Sequence, residues 1–78
     1  MKIGTVTGSV WFTRKAPCLS GQTFLVVDTD KGELVAADYV GAGKGDRVLL
    51  ITGAAAARYC MEAPADAAVV AIMDEKEE

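Results

Sequence analysis

Strand-length apolar runs, joined by connections too short to hold crossover helices, confine this chain to a small β architecture. Residues 2–12 alternate with a period of two. Gly4, Val6, Gly8, Val10 and Phe12 share one face, and Ile3, Thr5, Thr7, Ser9 and Trp11 share the other. The second face, Thr and Ser with one Trp, suits partial exposure or contact with a neighbour. Gly4 and Gly8 inside a strand mark bulges or hard bends, which a small closed barrel needs at its corners. Residues 13–22 hold Pro17, Ser20 and Gly21 and read as a loop. Phe24-Leu25-Val26-Val27 is a continuous apolar run, expected to be a strand covered on both faces. Residues 28–33 carry a hairpin signal with Lys31-Gly32 near the tip, and the chain returns over 34–40. A further strand is expected over 47–52.

Residues 53–59, with four consecutive alanines, are the only segment of clear helix propensity. At about two turns the helix depends on tertiary packing. Pro64 closes that region, and 67–73 reads as the last strand, apolar on both faces. The expected fold is all-β with small α content: five antiparallel strands and one short helix in an OB-like β-barrel. Its helix falls between the fourth and fifth strands, where a usual OB barrel has one between the third and fourth, so an SH3-like barrel competes. Residues 1–74 are expected to form a single domain and 75–78 a solvated acidic tail.

A chain of 78 residues buries only roughly 60–65% of the surface its unfolded form exposes, so a lone protomer is marginal. Disulfides, metal or oligomerisation usually supply the deficit. Cys18 and Cys60 stand alone with no secretory leader expected before them, and read as reduced thiols. With no histidine and no Cys-x-x-Cys, no metal site is expected. Oligomerisation remains. Half of the residues are hydrophobic, yet no run approaches the ~20 residues of a membrane helix, so the excess apolar surface is expected to meet protein. A net charge of −3 argues against nucleic acid.

The segment from Asp38 to Leu50 holds Gly41, Gly43 and Gly45 between two strand-like runs. It fails as a P-loop, since Asp38 stands where the first glycine belongs and Gly45 follows Lys44 where a hydroxyl is required. It fails as a dinucleotide fingerprint, because a strand follows it. The glycines serve a sharp bend, and Gly43 in particular is expected to need a positive φ or close backbone approach.

Catalysis is hard to build without histidine, which leaves a serine or cysteine nucleophile with no ordinary base. Cys18 follows Lys15 by three residues but reads as an incidental loop cysteine, and Cys60 beside Met61 as core or interface filling. The pairs Asp28 with Asp30 and Asp74 with Glu75 are solvated. Asp38 and Asp66 border apolar strands and want hydrogen-bond donors or an arginine, Arg47 or Arg58, within the chain or across a subunit boundary. Trp11 and Phe12 point to opposite faces, and Tyr39 and Tyr59 read as single aromatics, too few for a base-stacking platform.

Three ordered segments resemble the pentameric vertex proteins of bacterial microcompartment shells, of the ethanolamine-compartment and carboxysome type. They are Met1-Lys2-Ile3-Gly4-x-Val6-x-Gly8-x-Val10 with Lys15-Ala16-Pro17-Cys18-Leu19-Ser20-Gly21 and Phe24-Leu25-Val26-Val27; Ala37-Asp38-Tyr39-Val40-Gly41-Ala42-Gly43-x-Gly45-Asp46-x-Val48-Leu49; and Pro64-Ala65-Asp66-Ala67-Ala68-Val69-Val70-Ala71-Ile72-Met73-Asp74. The resemblance implies a cytoplasmic, non-enzymatic building block without cofactor: a barrel assembled as a cyclic homopentamer at the five-fold vertices. Its partners would be the hexameric shell proteins, with no nucleic acid and no membrane. It makes Asp38, Gly41, Ala42, Gly43, Gly45, Asp46 and Arg58 the candidate turn or subunit-interface residues. The chain departs from the family at Thr23, commonly Lys, and at Gly53-Ala54-Ala55-Ala56-Ala57-Arg58, where alanines replace serines and the arginine comes one place later. The competing readings are a monomeric OB-type module for single-stranded nucleic acid or oligosaccharide, and a small redox or transferase subunit using Cys18.

Overall fold

The computed structural model describes residues 1–60 and 64–74. Five strands, β1 (Lys2–Val10), β2 (Phe24–Thr29), β3 (Gly32–Asp38), β4 (Arg47–Thr52) and β5 (Ala67–Ile72), form a closed barrel in the order β1-β2-β3-β5-β4. The helix α1 (Gly53–Tyr59) joins β4 to β5, and a single 3-10 turn spans Pro17–Leu19. The alternation of β1 is realised as expected. Gly4 and Val6 are buried and Ile3, Thr7 and Ser9 are exposed, with a bulge between Val6 and Gly8 that bends the strand.

The expected all-antiparallel pairing is corrected at one seam: β3 and β5 run parallel, with Ala37 opposite Ala68 and Asp38 opposite Val69. The reason is parity. Strands around a closed ring cannot alternate in direction when their number is odd, so five strands force a parallel neighbour pair. Several ends are also shorter than expected. β1 stops at Val10, leaving Trp11 and Phe12 beyond the strand; β3 stops at Asp38 and β5 at Ile72; the hairpin tip is Asp30-Lys31. The segment 75–78, read as an acidic tail, lies outside the described residues.

Two apolar clusters hold the barrel. Val6, Leu25, Val27, Ala36, Val48, Leu50, Ala67 and Val69 fill its interior. Outside it, Phe24, Ala37, Cys60 and Ala68 form a second cluster, flanked by Val10, Leu19, Ile51 and Ala65. That cluster explains how a seven-residue helix persists: Cys60, its C-cap, is buried against the sheet, and Ala56 is fully buried. Phe12 packs edge-on against Phe24 at 5.9 Å between ring centroids, whereas Trp11 is 90% exposed. Cys18 lies exposed, within the 3-10 turn that interrupts the expected loop.

Candidate functional site

The turn from β3 to β4 is shaped by the two aspartates at its ends. Asp38, last residue of β3, accepts backbone N–H bonds on Oδ1 from Val40 (3.1 Å), Gly41 (3.1 Å) and Ala42 (3.4 Å). Asp46 accepts the Gly43 N–H on Oδ2 at 2.9 Å and donates its own N–H to the Gly43 carbonyl at 3.0 Å. Asx-type bonds of this kind let a short polar side chain replace strand pairing where the backbone reverses. Gly41 and Gly45 supply the left-handed conformations, at φ +76° and +95°. Four successive amides, those of residues 40–43, therefore face carboxylates and not an anion cradle.

The turn is tied down at several points. Gly45 donates to the Val6 carbonyl (2.8 Å) and Val6 to the Asp46 carbonyl (2.9 Å), beside the β1 bulge. Tyr39 donates its N–H to the Val69 carbonyl at 3.1 Å. Ala42 packs onto the interior cluster, so the turn closes one end of the barrel.

Two expectations about this turn are corrected. Gly43 does not have a positive φ, and a Cβ built on it meets nothing within 4 Å; the conformational demand sits at Gly41 and Gly45. Asp38 takes neither Arg47 nor Arg58 as a partner within the protomer, because the turn's own amides satisfy it and both arginines are exposed. Asp66 is likewise exposed, and contributes its backbone carbonyl to the Gly53 N–H at 2.8 Å. Asp38→Ala should lower stability by about 1–2 kcal/mol, the usual loss for a cap of this type. Gly43→Ala should change it by less than ~0.5 kcal/mol, as expected in open space. Urea midpoints check both, and a larger loss at Gly43 would mean that another chain presses on the turn.

The structure also joins two residues that no local pattern links. Tyr59 ends α1 and packs edge-on against Tyr39 at the start of the turn, with ring centroids 5.0 Å apart. Arg58 stands in the last turn of the helix, where a cation is favoured. Thr52, at the N-cap, makes no side-chain cap bond. Turn and helix together present Tyr39, Val40 and 52%-exposed Tyr59 beside Arg58, an aromatic surface flanked by a cation at the end of the barrel, with Lys44 also exposed in the turn. It has the composition of a protein contact, in which Tyr and Arg are enriched. Among the described residues, no cluster of three His, Cys, Asp or Glu side chains could hold a metal, and no helix is long and apolar enough to cross a membrane.

Comparison with known proteins is consistent over the whole barrel. The family model described as ethanolamine utilisation protein EutN/carboxysome matches residues 1–74. The carboxysome shell vertex protein CcmL of Synechococcus elongatus is 46% identical over 83 residues, covering 95% of this chain and 84% of its own length. The bacterial microcompartment shell vertex protein PduN of Salmonella typhimurium is 39% identical over 88 residues, covering 95% of this chain and 96% of its own. The solved GrpN pentameric microcompartment shell protein from Rhodospirillum rubrum superposes with a TM-score of 0.83 at 39% identity, covering 100% of this chain and 99% of that one.

Proposed function

The chain belongs to the EutN/CcmL family, and we propose that it is a structural subunit of a bacterial microcompartment shell, assembled as a homopentamer at the five-fold vertices. The observation that carries this reading is the match over residues 1–74, shared with vertex proteins and with a pentameric structure of nearly the same length. The role is mechanical and not enzymatic. Flat hexagonal tiling cannot close, and a five-fold subunit supplies the curvature that seals the shell around its enzymes. Its partners in this reading are the hexameric shell proteins, and its place is the shell in the bacterial cytoplasm.

The geometry supports assembly through the turn-and-helix end. Asp38, Gly41, Ala42, Gly45 and Asp46 give that end a fixed shape through bonds within the chain. Tyr59 and Arg58 stand exposed on it and are our proposed contact residues. Gly43 lies in the same turn with room for a neighbour to approach. A permanent contact of this kind buries at least ~1,000 Å².

Light scattering tests the reading. The wild-type protein should have a mass of about 41 kDa, five copies of an 8.2 kDa chain, in a ring closed by a repeated contact. Tyr59→Asp should weaken each contact by about 2–4 kcal/mol, the range of an aromatic anchor lost from an interface, and shift the mass toward one chain at micromolar concentration. A wild-type mass near 8.2 kDa across a dilution series would defeat the proposal.

A further inference from the structure

The loop from β1 to β2 carries the most exposed aromatic group of the chain. Trp11, its only tryptophan, is 90% exposed, and Phe12 beside it is 43% exposed. We infer that this loop is a docking site for an acidic, apolar segment of another protein. The segment lies in the groove beside Trp11 and sets a carboxylate against Lys15. The inference goes beyond the ring contact proposed at Tyr59 and Arg58 and does not depend on it.

The groove has a volume of about 330 Å³ and runs over the end of β1 and the residues that lead into β2. Val10, Trp11 and Phe12 form its apolar side and Gln22 and Thr23 a polar one, with Lys15 the charged group among them. An apolar wall with a few placed polar groups is the usual make-up of a recognition site. The loop that bears it is anchored. Phe12 packs edge-on against Phe24, and Leu19 packs on the outer apolar cluster. The Leu19 N–H bonds to the Ala16 carbonyl and the Ser20 N–H to the Pro17 carbonyl, both at 3.0 Å. Gln22 Nε2 donates to the Asp38 carbonyl at 3.0 Å, and the Asp38 N–H to the Thr23 carbonyl at 2.9 Å. An aromatic anchor presented on a fixed loop loses little freedom when a partner covers it. Tryptophan is also among the residues that dominate binding energy at protein contacts.

Charge selects the partner. The chain has a net charge of −3, yet residues 1–27 contain no Asp or Glu, and Arg14 and Lys15 stand exposed in the loop. The nearby carboxylate is turned elsewhere. Asp38 reaches Gln22 and Thr23 through its backbone, while its Oδ1 accepts the turn amides. Among the described residues, neither Asp38 nor Asp66 lines the groove. The site is therefore basic and aromatic on an acidic protein. A neutral apolar segment would cover Trp11 without answering Lys15, whereas an acidic one does both. The larger groove, about 630 Å³ along residues 3–5 and the β2–β3 hairpin, sets Lys2, Lys31 and Arg47 against Asp28 and Asp30 and favours neither sign.

A dye-labelled peptide, acetyl-Glu-Leu-Phe-Glu-Leu-Glu-amide, titrated with the wild-type protein tests the inference. Its anisotropy should rise saturably, with a Kd below ~1 mM. Trp11→Ala and Lys15→Glu should each weaken binding at least ~10-fold, as expected for loss of an anchor or of a charge pair. Lys31→Glu makes the same charge change at an exposed site outside this groove, and should weaken binding less than ~2-fold because solvent screens it. Circular dichroism checks that each variant is folded, which substitution of exposed side chains leaves intact. No saturable binding by the wild type, or equal affinity for Trp11→Ala, overturns the inference. Free hydrocinnamate binding as tightly as the peptide also overturns it, since the groove would then be a site for small acids. Trp11 shielded from acrylamide quenching in the peptide-free ring overturns it too, because a second copy would already cover the groove. A single-chain mass for the wild type defeats the pentameric reading and leaves peptide binding measurable, so the two failures are distinguishable.

Discussion

Gly4→Ala is expected to remove most of this protein's stability. Gly4 is buried on β1, facing Val27, Asp28 and Thr29 of β2. An added Cβ would lie 2.5 Å from Val27 Cγ1, 2.9 Å from the Asp28 carbonyl oxygen and 3.2 Å from Thr29 Cγ2. A methyl group aimed at a backbone carbonyl has no rotamer to escape into, so the strands must separate. Overpacking costs about 1–3 kcal/mol where side chains can yield, and a backbone clash belongs at or above the upper end. The entropy gained by removing a glycine from the unfolded chain, about 0.4–1 kcal/mol, does not offset it. A domain of this length has roughly 4–12 kcal/mol in total, with small barrels toward the lower figure. Gly8 is the internal control. It lies in the same strand, does not have a positive φ and has nothing within 4 Å of its would-be Cβ, so Gly8→Ala should be neutral or slightly stabilising. Urea unfolding followed by circular dichroism separates the two, with a midpoint drop of about 2–3 M for Gly4→Ala at the slope of a small domain. Equal midpoints would mean that the β1–β2 approach is looser than the structure shows.

Leu50→Ala should have an effect of similar size through the opposite fault, a hole. Leu50 is fully buried in the barrel interior, in the cluster that Ala42 of the turn covers. Truncations of this kind cost about 2–5 kcal/mol, depending on how far the surroundings collapse. Collapse is restricted here, because the interior is ringed by strands hydrogen-bonded on both sides. If folding and ring assembly are linked, the variant's stability should rise with protein concentration, since neighbours bind the folded protomer and not the unfolded chain. Thermal melts over a hundredfold range of concentration would show it. A loss under about 1 kcal/mol would contradict the packing described for the interior.

The local elements were legible in the residues. The strand over 47–52 and the helix over 53–59 begin and end where the sequence placed them, because an apolar run bounded by glycine and a row of alanines state their preference over a few residues. Gly4 and Gly8 look alike in the sequence, each a bend inside a strand. The structure separates them: Gly4 is required by the nearness of β2, and Gly8 borders a bulge. The same holds in the turn, where three glycines look equivalent in sequence and only Gly41 and Gly45 are left-handed. The parallel β3–β5 seam follows from the odd number of strands in a closed ring, a count that no local run of residues expresses.

The candidate site was legible as a segment and not as a surface. Asp38 was expected to seek donors, and it found them in its own turn, two to four residues on, with no arginine involved. The pairing of Tyr39 with Tyr59 had no signal in the sequence, since nothing in either neighbourhood refers to the other.

The sequence by itself determined where this chain extends, where it turns and that its half-apolar composition exceeds what a small lone barrel can hide. Those properties follow from backbone sterics and side-chain periodicity, which act between near neighbours. Only the tertiary structure decided which glycine is indispensable, which strands run parallel and which aromatics share a surface. Each of these depends on distances between residues that closing the barrel brings together, and such distances are properties of the closed ring rather than of any stretch of chain.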